Sequence, residues 1–165
     1  MVTAVATSSV DVLAAVRAIP DPEVPVITID DLGILRSVDL DGDRLRVVIT
    51  PTYSGCPAME AIRANIQRVA ADHGYEADVS MQLSPAWTTD WMSADGRDAL
   101  ARFGIAPPHV LKDGPVAVGL SVRQVTCPLC GSTDTEELSR FGSTSCKALR
   151  RCVSCREPFE EFKAL

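Results

Sequence analysis

Two pairs of cysteines near the end of the chain constrain its folding more than any other sequence feature. Each pair has two residues between its cysteines, and 21 residues separate Cys130 from Cys152. Two such knuckles bring four thiolates to one point, which is the arrangement of a tetrahedral metal site. A segment of about 40 residues has too little core to fold without a staple of this kind. The sequence therefore predicts a ribbon that holds one structural ion through Cys127, Cys130, Cys152 and Cys155.

Zinc is the ion that this donor set favours, and rubredoxin-like iron is the alternative because four thiolates suit both metals. Two disulfides would need an oxidising compartment, and the first residues of the sequence lack the basic segment of a secretion signal. The location predicted for the chain is therefore the cytoplasm. No apolar run approaches the ~20 residues of a membrane-spanning helix, so no membrane partner is expected.

Cys146 lies between the two knuckles in a loop of small residues, directly before Lys147. Either Cys146 is a half-buried thiol, or it is an additional metal ligand or a reactive thiol whose pKa the neighbouring ammonium lowers. The basic side chains around it, Lys147 among them, form a solvated face or a docking face for a protein partner. Nucleic acid is disfavoured as a partner, because the net charge of the chain is −6 and few aromatic residues interleave with the basic ones.

The composition indicates two parts of different chemistry. Hydrophobic residues make up 46% of the 165 residues and charged residues 23%, as in an ordinary globular protein. The acidic excess lies in the first 110 residues, whereas the cysteine-rich remainder is nearly neutral. We therefore predict one domain over residues 1–110 and a ribbon domain over residues 111–165.

Hydrophobic periodicity predicts an α/β (α+β) fold for the first part, in the order helix, strand, strand, helix, strand. The two helices are expected over residues 10–19 and 57–73. Strands are expected over 34–40, 45–49 and 77–83, and the last crossover should make two of them parallel. A short helix should begin after Ser93 and end at Gly104, and a further strand is expected over 116–122.

Cys56 is the lone cysteine of the first part, and it should stand at the start of the second helix. Free N–H groups and the positive helix end would lower the pKa of its thiol there. The alternative is a buried cysteine that acts as a small apolar residue. Neither His73 nor His109 is placed to serve as its base, so a cysteine hydrolase is not expected.

Two carboxylates and a tryptophan-rich segment contain the remaining candidate functional residues. Asp21 and Glu23 alternate with prolines. They are either carboxylates that end a helix in a solvated turn, or hard metal ligands, or acceptors of hydrogen bonds from backbone amides. Trp87 and Trp91 should pack against the sheet or, with Asp90 between them, form a docking patch for a partner protein.

Two short strings resemble the small α/β iron–sulfur assembly family that includes SufT. They are Asp-Pro-Glu-Val-Pro at residues 21–25 and Thr-x-x-x-Cys-Pro at residues 52–57. This resemblance implies that Cys56 is a transient ligand of a cluster or of iron, with Asp21, Glu23 and Thr52 near it. One thiol cannot hold a cluster alone, so a partner protein or Cys146 would supply the other ligands.

Longer strings at residues 51–57, 85–91, 103–108, 141–147 and 156–159 are similar to the PaaD (PaaJ) family, and the resemblance covers nearly the whole chain. That family comprises small accessory subunits of the bacterial phenylacetyl-CoA ring epoxidase, a multicomponent monooxygenase of aerobic phenylacetate catabolism. The resemblance implies a maturation protein that assembles or delivers an iron–sulfur cluster or iron to an epoxidase subunit. The oxygenase and reductase subunits, and the iron–sulfur assembly machinery, are the partners that it implies.

Three absences in the sequence argue that this chain does not catalyse the oxygenation itself. It has no Glu-x-x-His pair for a diiron site, no Gly-rich nucleotide loop and no ferredoxin cysteine spacing. The alternatives to maturation are a structural docking subunit with no metal-transfer role and a thiol oxidoreductase.

Overall fold

The structure is a computed structural model that describes residues 9–109 and 124–164. These residues form two compact units, and the boundary between the units in the sequence lies between Trp87 and Thr88. The domain boundary near residue 110 remains a prediction, and the strand expected over 116–122 lies outside the described residues. Within the described residues, no helix has the length and hydropathy to cross a bilayer.

The first unit has the predicted order of elements. Its two helices are α1 (Ser9–Arg17) and α2 (Ala58–Asp72), and its three strands are β1 (Leu35–Asp41), β2 (Arg44–Ile49) and β3 (Glu76–Met81). The sheet order is β1-β2-β3. β1 pairs with β2 in antiparallel fashion and β2 pairs with β3 in parallel, so the predicted crossover is confirmed.

The alternation of apolar and polar residues explains how this sheet is covered. In β2, Leu45, Val47 and Ile49 are buried, whereas Arg44 and Arg46 are exposed. The apolar stripe of α2 packs over the buried face of the sheet through residues at helical spacing. The buried members of that stripe are Met59, Ile62, Ile66 and Ala70.

The opposite face of the sheet carries two rows of charged side chains, here named the charged rows. Each row has an arginine on β2 between a carboxylate on β1 and a carboxylate on β3. The strand register gives the rows as Asp41, Arg44, Glu76 and Asp39, Arg46, Asp78. Arg44 lies 3.4 Å from Glu76, and Arg46 lies 2.5 Å from Asp41. Because all six side chains are exposed, the pairs contribute little each, but they keep this face polar.

The second unit begins with a 3-10 turn (Thr89–Trp91) and the predicted short helix, α3 (Ala94–Phe103). The Ser93 side chain accepts a hydrogen bond from the Gly96 amide at 2.9 Å. Gly104 ends the helix in the left-handed region at φ 91°. The predicted helix and both of its caps are therefore confirmed.

A four-stranded sheet with the order β4-β7-β6-β5 completes the second unit. Its strands are β4 (Ile105–Ala106), β5 (Thr135–Ser139), β6 (Lys147–Cys152) and β7 (Pro158–Phe162). β5, β6 and β7 are antiparallel neighbours, and the short β4 joins β7 in parallel. A small cluster of Ala106, Val125, Phe159 and two cysteines forms the core beside the knuckles.

Candidate metal centre and thiol site

The four cysteines of the two knuckles converge as the sequence predicts. The sulfurs of Cys127, Cys130, Cys152 and Cys155 all lie within 4.8 Å of one another. Gly131 allows the turn after the first pair, at φ 76°, and its amide donates to the Cys127 carbonyl. The hydroxyls of Ser132 and Ser154 lie 2.8 Å apart and connect one knuckle to the other.

The spacing of the sulfurs fits a tetrahedral ion. Four sulfurs at about 2.3 Å from one ion stand about 3.8 Å from one another. The Sγ atoms of Cys127 and Cys155 are 3.9 Å apart, and those of Cys130 and Cys152 are 3.5 Å apart. The donor set is therefore complete for one four-coordinate ion and leaves no open position on it.

Electrostatics inside the cluster also favour a bound cation. The Cys155 amide, which donates to the Cys152 sulfur, is the largest influence that lowers the pKa of Cys152 to about 6. The Glu157 amide acts in the same direction on Cys155, but burial and the neighbouring sulfurs outweigh it and raise the pKa of Cys155 to about 12. Four thiolates cannot form this close together without a cation to neutralise them.

Cys146 stands apart from this cluster. Its side chain is buried, and its sulfur lies 3.0 Å from the Thr144 hydroxyl. Over the described residues, the four knuckle cysteines come together as a metal-ligand group without Cys146. Its role as an additional ligand or reactive thiol remains a prediction, and the burial agrees with the simpler interpretation of a packed thiol.

Lys147 is buried and pairs with Glu160 across the ribbon. Its Nζ lies 2.8 Å from one carboxylate oxygen, and the Ser143 amide donates to the other oxygen at 2.5 Å. Partial burial opposes ionisation of Glu160, but the Lys147 ammonium and Ser143 outweigh it and lower its pKa. The sequence predicts that Lys147 docks a partner; in the structure its ammonium is held inside the ribbon instead of on the surface.

A glycine makes room for this carboxylate. A Cβ added at Gly142 would lie 2.6 Å from the Glu160 oxygen Oε1, which is closer than side-chain atoms approach. The loop between β5 and β6 therefore closes over Glu160 only because residue 142 has no side chain.

Cys56 lies immediately before α2, as predicted, but outside the helix itself. The helix begins at Ala58, and Pro57 is its N-cap residue. The Ala58 amide and the Thr52 hydroxyl hydrogen-bond to the Cys56 sulfur. Thr52 and Cys56 are thus brought together by the loop between β2 and α2, as the sequence hypothesis requires.

The expected lowering of the Cys56 pKa is wrong. Burial is the largest influence and raises the pKa of this thiol, and the charges of Glu23 and Asp21 raise it further. The hydrogen bonds from Ala58 and Thr52 act in the opposite direction and do not compensate. The helix start does contribute, but burial outweighs it, and two carboxylates from a distant part of the sequence add a smaller effect in the same direction as burial.

Asp21 and Glu23 therefore lie near enough to Cys56 for their charges to act on its sulfur. Asp21 is 3% exposed, and its Oδ1 accepts hydrogen bonds from the amides of Glu23 at 2.9 Å and Val24 at 2.8 Å. This oxygen organises the proline-rich loop, as one of the three sequence interpretations expects. The loop thereby holds two negative charges near the thiol.

The tryptophan segment divides between a buried and a more exposed side chain. Trp87 is 6% exposed, and its indole Nε1 donates to the Leu32 carbonyl at 3.0 Å. This agrees with packing of Trp87 in the first unit. Asp90 is exposed and Trp91 is half-buried in the 3-10 turn, so docking remains a prediction for these two residues.

Sequence reasoning missed Thr50, which lines a cavity of about 190 Å³, here named the Thr50 cavity. The cavity lies between residues 50–54 and the side chains of Leu83, Ala86 and Trp87. Thr50 is 1% exposed, and its hydroxyl oxygen has no hydrogen-bond partner among the described residues. The one available signal was a polar residue at the end of a strand whose last residue, Ile49, is buried.

Comparisons with known proteins agree with a division into two functional parts. Residues 9–83 match the family described as iron–sulfur cluster assembly protein. Residues 112–163 match the PaaD zinc beta ribbon domain. The metal-binding arrangement of the four cysteines thus lies in a segment that is similar to a zinc ribbon.

Individual relatives cover either the whole chain or its first part. A protein of Escherichia coli K12 that is named as a subunit of 1,2-phenylacetyl-CoA epoxidase is 46% identical over 94% of this chain and 92% of its own length. An Fe-S protein maturation auxiliary factor of Porphyromonas gingivalis is 32% identical over 52% of this chain and 83% of its own length. A crystal structure of a domain of unknown function, DUF59, from Bacillus anthracis covers 54% of this chain and 87% of its own, with 27% identity and a TM-score of 0.49.

Proposed function

Because this chain belongs to the PaaD family, we propose that it is a maturation protein of the phenylacetyl-CoA epoxidase system. In this role it assembles or delivers an iron–sulfur cluster, or iron, to an epoxidase subunit. The client is the oxygenase subunit or the reductase subunit. The E. coli relative supports the epoxidase system, and the match to the iron–sulfur assembly family supports the chemistry.

The observation that carries the proposal is the surroundings of Cys56. A half-exposed thiol stands with a hydroxyl, a backbone amide and two carboxylates that act on its sulfur. Thiolate is a soft ligand for iron and for clusters, and the carboxylates attract a cation. The site therefore combines a ligand with a local negative potential.

The raised pKa of Cys56 suits transient handling of the cargo. The thiol must lose its proton before it binds iron, so the proton competes with the metal at neutral pH. Competition of this kind weakens the complex and eases release to a client. A single thiol also leaves the other positions of the iron or cluster to ligands of the client.

We assign the ribbon a structural zinc ion rather than a place in the transfer. Four sulfurs complete the coordination of one zinc ion, and a closed site of this kind stabilises a fold without offering a position for exchange. When bound, the ion supplies the cross-link that replaces a large core. Cys127, Cys130, Cys152 and Cys155 would hold it.

The test compares the epoxidase from cells that carry Cys56→Ser with the epoxidase from cells that carry Cys146→Ser. Both variants remove one thiol outside the knuckles, but only the first removes the proposed ligand. We expect the Cys56→Ser cells to make all other epoxidase subunits, to fail to grow on phenylacetate and to yield enzyme deficient in iron or sulfide. Enzyme that is fully metallated in those cells contradicts the proposal.

Anaerobic reconstitution of the purified protein gives a second measurement. Iron and sulfide should bind to the wild-type protein beyond the metal of the ribbon, and Cys56→Ser should lose that fraction. Equal iron and sulfide contents in the two proteins would argue against Cys56 as the ligand.

A second candidate function is a structural docking subunit of the epoxidase. Exposed apolar side chains at the tips of the two knuckles favour this docking function: Leu129 is 56% exposed and Val153 is 46% exposed. This function predicts that the chain co-purifies stably with epoxidase subunits regardless of Cys56→Ser. Replacement of both tip residues by glutamate should then release it.

A further inference from the structure

Arg156 has a backbone conformation that arginine seldom adopts. Its φ is 66°, in the left-handed region, and among the described residues it is the one residue other than glycine with a positive φ. This conformation costs free energy in a residue with a side chain, because the Cβ crowds a carbonyl oxygen. Glycine has no Cβ and avoids that cost. The chain therefore keeps an arginine at a position where glycine would suit the backbone better.

The first knuckle shows that glycine can occupy the same position. In each knuckle the amide of the first cysteine donates to the carbonyl five residues later. Cys127 donates to Ser132 at 2.8 Å, and Cys152 donates to Glu157 at 3.0 Å. The residue after the second cysteine is left-handed in both knuckles, and in the first it is Gly131 at φ 76°. The two turns match, so the backbone of the second knuckle does not require a side chain at residue 156.

The guanidinium of Arg156 has no partner within the part of the chain that the structure describes. It is exposed and forms no hydrogen bond or ion pair there, even with Glu157 beside it. The preceding arginine on the same knuckle differs, because Arg151 pairs with Glu136 across the sheet. Since no contact of its own chain explains Arg156, the reason for an arginine here lies in something that binds to it.

Arg156 lines a cavity of about 390 Å³ beside the metal centre, here named the arginine cavity. The other described residues of its lining are Arg151, Cys152 and Val153. Two guanidinium groups at one cavity favour an oxyanion, because each presents paired N–H donors that match its oxygens. Val153 is exposed and adds apolar surface. The expected ligand therefore carries an oxyanion next to an apolar group.

The lining also distinguishes a free anion from an anion carried by a protein. Sites for small molecules enclose most of the surface of their ligand, and the four described residues line only one side of a wide cavity. An exposed guanidinium holds a free anion weakly, because both groups keep their water. A partner protein supplies the missing cover and can also bury the exposed apolar side chains of Val153 and Leu129.

The charge of the whole chain selects the kind of partner. Phosphates of a nucleic acid would also suit the two arginines, but the net charge of −6 opposes their approach. A single carboxylate on a protein surface pairs with Arg156 without bringing a long row of negative charges. The occupant is therefore an aspartate or a glutamate of a partner protein.

We propose that the arginine cavity docks an acidic segment of the client, with a client carboxylate paired to Arg156 and a neighbouring apolar residue packed on Val153. This inference rests on the proposed function, which supplies the client. It assigns the ribbon the task of holding the client, while Cys56 handles the cargo. The pairing in the complex then offsets the cost of a left-handed arginine.

Replacement by glycine separates docking from a structural role of the arginine. Arg156→Gly removes the left-handed cost and breaks no contact within the described chain, so the zinc-loaded variant should melt at or above the temperature of the wild type. Arg156→Gln removes the charge alone and should melt as the wild type does. Loss of zinc, or a lower melting temperature of Arg156→Gly, would assign the arginine to the fold of the knuckle and overturn the inference.

The binding test measures the affinity of the full zinc-loaded chain for the purified oxygenase and reductase subunits by biolayer interferometry. The wild type should bind one of them, and added salt should weaken this binding. Arg156→Gly should weaken it about tenfold, the factor for one charge-assisted hydrogen bond, and Arg156→Glu further, because it repels the client carboxylate.

The matched control is Arg140→Glu, which makes the same charge change at another exposed arginine of the second unit. It should leave the affinity unchanged. Equal affinities of the wild type and Arg156→Glu would overturn the inference. So would equal losses in Arg156→Glu and Arg140→Glu, or a wild type that binds neither subunit.

Acetate and inorganic phosphate test for a free anion at the same arginines. Their binding is followed by NMR through the side-chain N–H signal of Arg156. We expect no saturation below about 10 mM, because a solvated pair of this kind is weak. Saturation near 1 mM or below that disappears in Arg156→Gly would show a small-anion site and reject docking of a client.

Metal analysis of the epoxidase from cells separates this inference from the proposed function. We expect Arg156→Glu cells to yield epoxidase deficient in iron or sulfide, and Arg140→Glu cells to yield fully metallated enzyme. A deficiency with Cys56→Ser and full metallation with Arg156→Glu would reject the docking site and keep maturation. Full metallation with Cys56→Ser and weakened binding of Arg156→Glu would reject maturation and keep the docking site for an epoxidase subunit.

Discussion

At the scale of single residues, the position of Cys56 could be predicted from the sequence, but the pKa of its thiol could not. Its place directly after a strand and before a helix follows from local patterns, and the structure agrees. The pKa of its thiol is raised mainly by burial and to a smaller extent by Glu23 and Asp21, which lie more than 30 residues earlier in the sequence. Burial and the approach of distant charges are tertiary effects, so local reasoning gave the wrong direction.

Glu23→Gln tests this electrostatic description. Removing the negative charge lowers the pKa of Cys56, so more thiolate is present near neutral pH and the thiol alkylates faster. We expect a modest rate increase at pH 7.5, because Glu23 affects this pKa less than burial and the two hydrogen bonds do. The measurement is the alkylation rate of Cys56 against pH in metal-loaded protein, followed by mass spectrometry.

The control for this measurement is Asp78→Asn in the charged rows, which should leave the Cys56 rate unchanged. The buried Cys146 should react more slowly than Cys56 in every variant. A pH profile that does not move with Glu23→Gln would contradict the assigned influence of that carboxylate.

Thr50 gives a second prediction at this scale. Thr50→Val keeps the shape of the side chain and removes the hydroxyl without a partner. We expect the free energy of unfolding to increase by about 1 kcal/mol, because a buried unpaired polar group is costly. Urea unfolding measures this free energy, and Thr52→Val is the control. The Thr52 hydroxyl has a partner in Cys56, so removing that hydroxyl should not stabilise the protein.

At the scale of elements, the sequence predicted those that carry their own local signals. Ser93 and Gly104 mark the ends of α3, and the alternating residues of β2 mark a strand with one buried face. The pairing of β4 with β7 could not be predicted in the same way. β4 has two residues, too few for a periodic pattern, and its partner lies more than 50 residues later.

Gly142→Ala tests the loop that joins β5 to β6. The added methyl group would displace the Glu160 carboxylate, which Lys147 and Ser143 hold from the other sides. We expect a loss of about 1 kcal/mol in stability, at the lower end of the cost of overpacking, because the displaced atom ends a flexible side chain. Thermal unfolding of the metal-loaded protein, followed by circular dichroism, is the measurement.

Gly55→Ala is the matched control for this substitution. Its Cβ would meet its nearest atom, in the Tyr53 ring, at 3.9 Å, an ordinary contact distance. The melting temperature should therefore change little. If both alanine variants unfold at the same temperature, the close approach at Gly142 is not a constraint on the loop.

At the scale of the whole molecule, the two units should depend on metal to different degrees. Cys130→Ser leaves three sulfurs for the ion, and a ribbon with a small core should not fold without it. We expect loss of the metal and rapid hydrogen exchange over residues 124–164, with protection retained in α2 and β2. Metal analysis measures the loss of the ion, and hydrogen exchange followed by mass spectrometry measures the protection of each segment.

Chelation of the wild-type protein should reproduce the pattern of the Cys130→Ser variant. The first unit has its own core under α2 and contains none of the four knuckle cysteines. A ribbon that stays protected after the metal is removed would contradict a structural role for the ion. So would nitrogen or oxygen in the first coordination shell by X-ray absorption.

The charged rows have a consequence for how two molecules of this protein meet in concentrated solution. Their four carboxylates outnumber their two guanidinium groups, so each copy presents a negative potential on the open face of its first sheet. Two copies that approach through these faces repel each other before any side chain loses its water. At 0.1 M salt this repulsion acts over about 10 Å, which is close to the spacing at which two sheets would stack. The same residues that leave this sheet face uncovered therefore discourage its association with an identical face.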